Sequence, residues 1–146
     1  MSAILSGGIY IINGGTFNIQ GGSTITATGG VMIYLTGGAT VNIANGSTVT
    51  LSAMSSGAYQ GVLFYQDRTM SSPGSSTFAG GANMNLSGSL YFPNALLNIN
   101  NGSHTSTEAV VAGSVNFQGG ETFYQATTSS QTGLGTPGTS SVVIIQ

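Results

Sequence analysis

Polar and apolar residues alternate in short bursts along the first half of the chain. Thr16-Phe17-Asn18-Ile19, Thr24-Ile25-Thr26-Ala27, Thr40-Val41-Asn42-Ile43 and Thr48-Val49-Thr50-Leu51 all show it. Alternation with period two marks a strand with one buried face. The leading threonines stand at 16, 24, 40 and 48, multiples of eight apart. The absent member, at 32, falls in the apolar run Val31-Met32-Ile33-Tyr34-Leu35. Between the bursts lie Gly14-Gly15, Gly21-Gly22, Gly29-Gly30, Gly37-Gly38 and Asn45-Gly46, residues suited to the positive φ of tight corners. Helix signals are nearly absent, because Gly or a β-branched residue interrupts every window.

Short, evenly spaced strands fit either a hairpin meander or a solenoid. A spacing of eight is one strand plus a very short corner, which favours the solenoid. Three such sides give a coil of ~22–26 residues. Asn18 and Asn42 then lie one coil apart, and the apolar-Asn-apolar triplet returns around Asn85, Asn98 and Asn116. These five asparagines are expected to form a ladder along the axis. In the second half the pattern predicts strands at Val62–Gln66, Asn83–Leu86, Ser89–Phe92, Leu96–Asn100, Ala109–Val111, Ser114–Phe117, Thr122–Tyr124 and Val142–Ile145. Loops are expected at 69–81, with Pro73, and at 127–139, with Pro137. The expectation is therefore all-β: one domain over 1–146, a right-handed parallel β-helix of about five to six coils with no capping helix.

Composition changes this picture in one respect. Half of the chain is Gly, Ser, Thr or Asn, which on its own suggests disorder. Positive mean hydropathy and the regular patterning oppose that reading. Only 3% of residues are charged, and the net charge is −2. One cation, Arg68, cannot neutralise the phosphates of a nucleic acid or hold an anionic membrane surface. With no cysteine there are no disulfides or thiolate metal sites. No apolar run is long enough for a membrane-spanning helix. The first residues, Met1-Ser2-Ala3-Ile4-Leu5, lack the basic start of a signal peptide, so export is expected to use an upstream signal or another route.

Several phrases carry a family resemblance: "GVMIYLTGGATVNI" (30–43), "GVLFYQDR" (61–68), "NLSGSLYFPNALLNINNGS" (85–103) and "VVAGSVNFQGG" (110–120). Together they resemble the C-terminal β-helical region of TadE/TadG-like proteins, associated with bacterial tight-adherence (Flp-type) pili and cell-surface display. The resemblance covers roughly residues 8–125. It implies a right-handed parallel β-helix outside the cytoplasm, and it brings no catalytic residues with it.

Candidate chemistry is sparse. Asp67 and Arg68 are adjacent, and Asp67 as an acid or base with Arg68 on an acidic sugar is conceivable on fold analogy alone. Glycoside hydrolysis needs a second carboxyl nearby, and Glu108 and Glu121 are remote in sequence. The expected role is structural instead: Asp67 caps the corner after Val62–Gln66, and Arg68 pairs with a carboxylate or with carbonyls. His104 stands alone in the polar stretch Asn101-Gly102-Ser103-His104-Thr105 and is expected to be a solvated loop residue, since a metal needs several ligands. Tyr10, Tyr34, Phe64, Tyr65, Tyr91 and Phe92 are expected to stack inside or along the coil, with an outward sugar-stacking groove as the alternative. Thr16, Thr24, Thr26, Thr40, Thr48 and Thr50 could form a water-ordering hydroxyl face, although Thr also simply suits exposed strands. The sequons at Asn45, Asn85 and Asn101 arise by chance in such a composition.

Both ends of the chain carry sticky strands without gatekeeping charges: Ile9, Tyr10, Ile11 and Ile12 at one end, and Val142, Val143, Ile144 and Ile145 at the other. Uncapped coils would stack head to tail, a heterologous contact that does not close and so builds a filament. The expected function is that of a structural, extracellular or cell-surface subunit, with its own copies as partners. No enzymatic activity, cofactor or metal is expected. The alternative is a pilus-associated carbohydrate-binding or adhesion module, with glycans and other surface proteins as partners.

Overall fold

The computed structural model describes residues 1–79, 83–100, 104–107, 109–119 and 122–125. Its first half forms β1 (Ser2–Leu5), β2 (Gly8–Asn13), β3 (Thr16–Ile19), β4 (Thr24–Ala27), β5 (Val31–Thr36), β6 (Thr40–Ile43) and β7 (Thr48–Ser52). Its second half forms β8 (Val62–Gln66), β9 (Ser76–Phe78), β10 (Met84–Ser87), β11 (Ser89–Asn100), β12 (His104–Thr107), β13 (Val110–Gln118) and β14 (Thr122–Gln125). Hairpins would make sequence neighbours antiparallel. Here the described pairings are parallel and join strands far apart in the chain. The architecture is all-β and solenoid-like.

Two sheets result. One has six strands in the order β1-β4-β7-β10-β12-β14. The other follows the path β2-β5-β8-β11-β9-β6-β3, with β13 added on β11. That path turns back on itself because β11 is 12 residues long. Its first part pairs with β8 through Ser89–Tyr91, and its later part pairs with β9 through Leu97–Ile99. The two ends of the path, β2 and β3, are joined by the Gly14-Gly15 corner, so this sheet is nearly closed. Both of these glycines have positive φ, 75° and 71°, a region that β-branched residues avoid.

Register sets the core. Ile25, Val49 and Met84 lie in one inward row, Ile33, Phe64 and Leu90 in another, and Ile43, Phe78 and Ile99 in a third. All of these are buried. Phe64, Phe78 and Phe92 meet at ring-centroid distances of 5.4–6.2 Å, mostly edge to face, a favoured geometry for aromatic pairs.

The repeat length drifts along the chain. Stacked partners are 24 residues apart at Asn18 and Asn42, 35 apart at Val41 and Ser76, and only 18 apart at Asn98 and Asn116. The middle layers are lengthened by residues 53–61 and by the loop after β8. Gly30 lets the first of these insertions lie close, since a Cβ there would stand 2.5 Å from the Met54 Cα.

Several expectations need correction. The loop expected at 69–81 contains β9, whose Phe78 is fully buried. Ser89–Phe92 and Leu96–Asn100 are one strand, β11, and the segments near 109–117 merge into β13. In β11 the chain passes through Pro93 without ending the strand, because the register shifts between Phe92 and Leu96. Proline is tolerated at such an irregularity, where no ladder hydrogen bond is required of it. His104 begins a strand, β12, rather than sitting in a loop. The loop at 127–139 and the strand Val142–Ile145 lie outside the described residues.

Candidate functional site

Asp67 follows β8 directly, and its main-chain N–H still donates to the Leu35 carbonyl at 2.8 Å. That contact fixes the side chain above Thr36, the neighbour of Leu35. Oδ1 accepts from the Thr69 N–H at 2.9 Å and from the Thr69 hydroxyl at 2.8 Å. Oδ2 accepts from the Thr36 hydroxyl at 3.1 Å. The Thr69 N–H holds the carboxyl below its ordinary range, with the Thr69 and Thr36 hydroxyls and the Tyr34 phenol adding to the effect against partial desolvation. Hydrogen bonds to the charged form act in this direction. A carboxylate engaged in this way is suited to holding the loop rather than to moving protons.

Arg68 is exposed. The expected ion pair is absent among the described residues, and the contact Arg68 makes there is through its backbone. Its carbonyl accepts from the Asn94 amide at 2.8 Å, and the Met70 carbonyl accepts from the same nitrogen at 3.1 Å. Asn94 thus clamps the start of the loop onto the layer containing β11. Sequence reasoning missed Asn94, Thr36 and Thr69, because their partners are a whole coil or a turn away. The only sign of Asn94 was its place after Pro93, inside "LYFPNA".

Beside this corner, Tyr34, Tyr65 and Tyr91 occupy successive positions of one outward row. Their rings stack with centroids 5.5 and 4.8 Å apart and planes tilted by 12° and 15°, while Tyr59 meets Tyr65 edge-on at 6.4 Å. The faces of the stacked rings are turned to one another. A sugar packs on an exposed ring face, so this row offers mainly ring edges. Desolvation, then the Asp67 carboxylate, raises the Tyr34 phenol above its ordinary value. Ile11 continues the row below Tyr34, and Val111 continues it above Tyr91.

Four of the five named asparagines share a second outward row. Asn18 pairs with Asn42, Asn42 with Thr77, Thr77 with Asn98, and Asn98 with Asn116. The Asn42 amide nitrogen donates to Asn18 Oδ1 at 2.8 Å, and Asn116 donates to Asn98 Oδ1 at 3.2 Å. Asn85 belongs elsewhere: it pairs with Thr50 in the six-stranded sheet. The threonines divide likewise. Thr24, Thr26, Thr48 and Thr50 stack on the six-stranded sheet, whereas Thr16 and Thr40 meet on the other at 3.0 Å. They do not form one face.

Among the described residues, β1, β2 and β3 are each paired on one side only. Of their inward residues, Ile19 is buried but Ala3, Leu5, Tyr10, Ile12 and Phe17 are only partly so, while Ile25, Ile33, Leu35 and Val41, above Ala3, Tyr10, Ile12 and Phe17, are at most 6% exposed. On the outer wall Ile4, Ile9 and Ile11 are exposed, Ile11 to 67%. Within the core, Gln66 is fully buried, and neither its Nε2 nor its Oε1 has a hydrogen-bond partner among the described residues. The side chains of His104, Glu108 and Glu121, and the stretch Val142, Val143, Ile144 and Ile145, lie outside what is described. Among the described residues no three His, Asp or Glu side chains gather as a metal site would require.

Comparison with known proteins gives one match. The family model described as a domain of unknown function (DUF7305) matches residues 4–129, a span that takes in β2 to β14 whole and the second half of β1. No curated protein and no solved structure matches the chain.

Proposed function

The chain belongs to the DUF7305 family, and from that premise we propose that it is a non-catalytic structural subunit that stacks head to tail into a filament. The carrying observation is the first layer: among the described residues its three strands are paired on one side only, over a core of which Ala3, Leu5, Tyr10, Ile12 and Phe17 are only partly buried. Unpaired edges and a cut apolar core are a template for another strand layer. A net charge of −2 offers little repulsion to the approach of a second copy.

In this reading the fold is a right-handed parallel β-helix of five to six coils without a capping helix. Right-handedness follows from the strong preference of parallel crossover connections. The coil count follows from one strand per coil in the six-stranded sheet. The resemblance to the β-helical region of TadE/TadG-like proteins is what supports reading the filament as one of the cell surface, in a pilus-associated setting. A carbohydrate-binding role gains no support from the tyrosine row, whose faces are occupied.

Sedimentation velocity over a rising concentration series tests the proposal, with electron microscopy of the same samples. Growing species and unbranched fibres are expected. A monomer at every concentration sinks it.

A further inference from the structure

The strands of the first layer turn alternate main-chain groups away from the rest of the chain. In β2 the Gly8 N–H donates to the Gly30 carbonyl at 3.0 Å, and the Gly14 N–H donates to the Thr36 carbonyl at 2.9 Å. Main-chain groups alternate in direction along a paired strand. Tyr10 and Ile12 therefore also face β5, while Ile9, Ile11 and Asn13 face the opposite way. In β1 the Met1 and Leu5 carbonyls accept from the N–H groups of Thr24 and Thr28, which leaves Ser2 and Ile4 facing away. In β3 the Gly15 and Ile19 carbonyls accept from Thr40 and Ala44, which leaves Thr16 and Asn18. Among the described residues, the N–H and C=O groups turned away in this manner have no hydrogen-bond partner.

The residues that carry these groups are also the ones whose side chains lie on the outer wall. All of them are exposed, whereas Ala3, Leu5, Tyr10, Ile12 and Phe17 alternate with them and pack on the core. Backbone pairing on this edge therefore needs no rearrangement of core side chains.

A single extended segment would satisfy only one side of the layer. β1, β2 and β3 are three sides joined by short corners, with their unpaired groups all on one face. Within the chain, the next coil pairs with all three in unbroken register: β4 on β1, β5 on β2 and β6 on β3. A coil of this same fold is thus the shape that meets the three edges together. Charge agrees with that partner. Residues 1–66 contain no Asp, Glu, Lys or Arg, so the layer offers no attraction to a charged ligand and lacks the edge charges that keep copies apart.

We propose that a second copy of this chain docks on the first layer by main-chain pairing, with Ile9, Ile11 and Asn13 of β2 as the longest run of donors and acceptors. Ser2 and Ile4 of β1 and Thr16 and Asn18 of β3 complete the contact. This rests on the filament reading and specifies its acceptor face.

Amide hydrogen exchange, read residue by residue in dilute monomer and in assembled protein, tests the assignment. In the monomer Ile9, Ile11 and Asn13 are expected to exchange at least about tenfold faster than Tyr10 and Ile12. On assembly they should slow to the rate of those neighbours. Slow exchange at the three in the monomer overturns the proposal, since the edge is then covered within the chain. Fast exchange that persists in the assembled protein overturns it as well. Ile11→Pro gives a second reading. It removes a donor that faces away from β5, so the chain loses no ladder bond of its own. The concentration needed for assembly should rise about tenfold or more, with the monomer's circular dichroism unchanged. Ile11→Lys should act in the same direction by placing a charge beside the edge, and it decides the matter if the proline variant fails to fold. Assembly of Ile11→Lys or of folded Ile11→Pro at the parent's concentration overturns the edge assignment alone. If the parent chain itself never assembles, the filament reading falls, and the docking face with it.

Discussion

At the scale of residues, the two charges at 67 and 68 part company. Asp67 is held by Thr69 and Thr36 through its side chain, while Arg68, among the described residues, contributes its carbonyl. Hydrogen bonding lowers the folded-state pKa of Asp67 from its ordinary 3.8. The stability it contributes is therefore fully present above that ordinary value and is lost as pH falls through the folded pKa. Asp67→Asn should lower the melting temperature at neutral pH and flatten the acid limb of a melting-temperature profile. Tyr34 has the opposite sign. Its pKa is raised above 10.0, so its contribution is whole below about that pH and is lost in alkali as the pH rises through the folded value. An Asp67→Asn profile parallel to the parent's at low pH would contradict this account. Gln66 gives a second expectation. A buried amide with neither end satisfied costs about 1–3 kcal/mol. Gln66→Met, similar in volume and unable to leave a polar atom unpaired, should stabilise the fold by about 1 kcal/mol in urea titration. A loss of stability would mean that the amide is paired in solution.

At the scale of elements, the first half was legible because each module spends its residues on one strand and one corner. The four bursts became β3, β4, β6 and β7 within a residue of where alternation put them. The second half was less legible for physical reasons. β9 is three residues long, too short for period two to stand out, and only its parallel neighbours β6 and β11 make it a strand. Pro93 and Gly113 look like breaks, yet a strand bends through each without stopping. The site was partly legible. The Asp67 corner could be expected from its position, but Asn94 acts from 26 residues away, and nothing local announces that. The row of Asn18, Asn42, Asn98 and Asn116 could be anticipated by triplet matching. The same matching misassigned Asn85, because a triplet does not say which sheet it joins. Close approach at Gly30 was also hidden. A Cβ there would meet the Ala53 carbonyl oxygen at 2.8 Å as well as Met54. Gly30→Ala should therefore destabilise by roughly 1–3 kcal/mol, read as a lower denaturant midpoint at unchanged slope. Wild-type stability in that variant would show that residues 53–61 yield easily.

At the scale of the whole molecule, a parallel stack has a top and a bottom that differ, and this chain has almost no charge with which to defend either. Among the described residues its lower end leaves three strand edges unpaired over a partly covered core, the situation that capping elements relieve in solenoids. The account holds that another copy supplies the missing layer. Strands in such a fibre would run across its axis with a spacing of ~4.8 Å along it. X-ray diffraction from aligned protein prepared under native conditions tests this most directly. The account predicts a meridional reflection at ~4.8 Å from fibres whose subunits keep the native melting transition. A protein that stays monomeric at high concentration and gives no oriented pattern would contradict it.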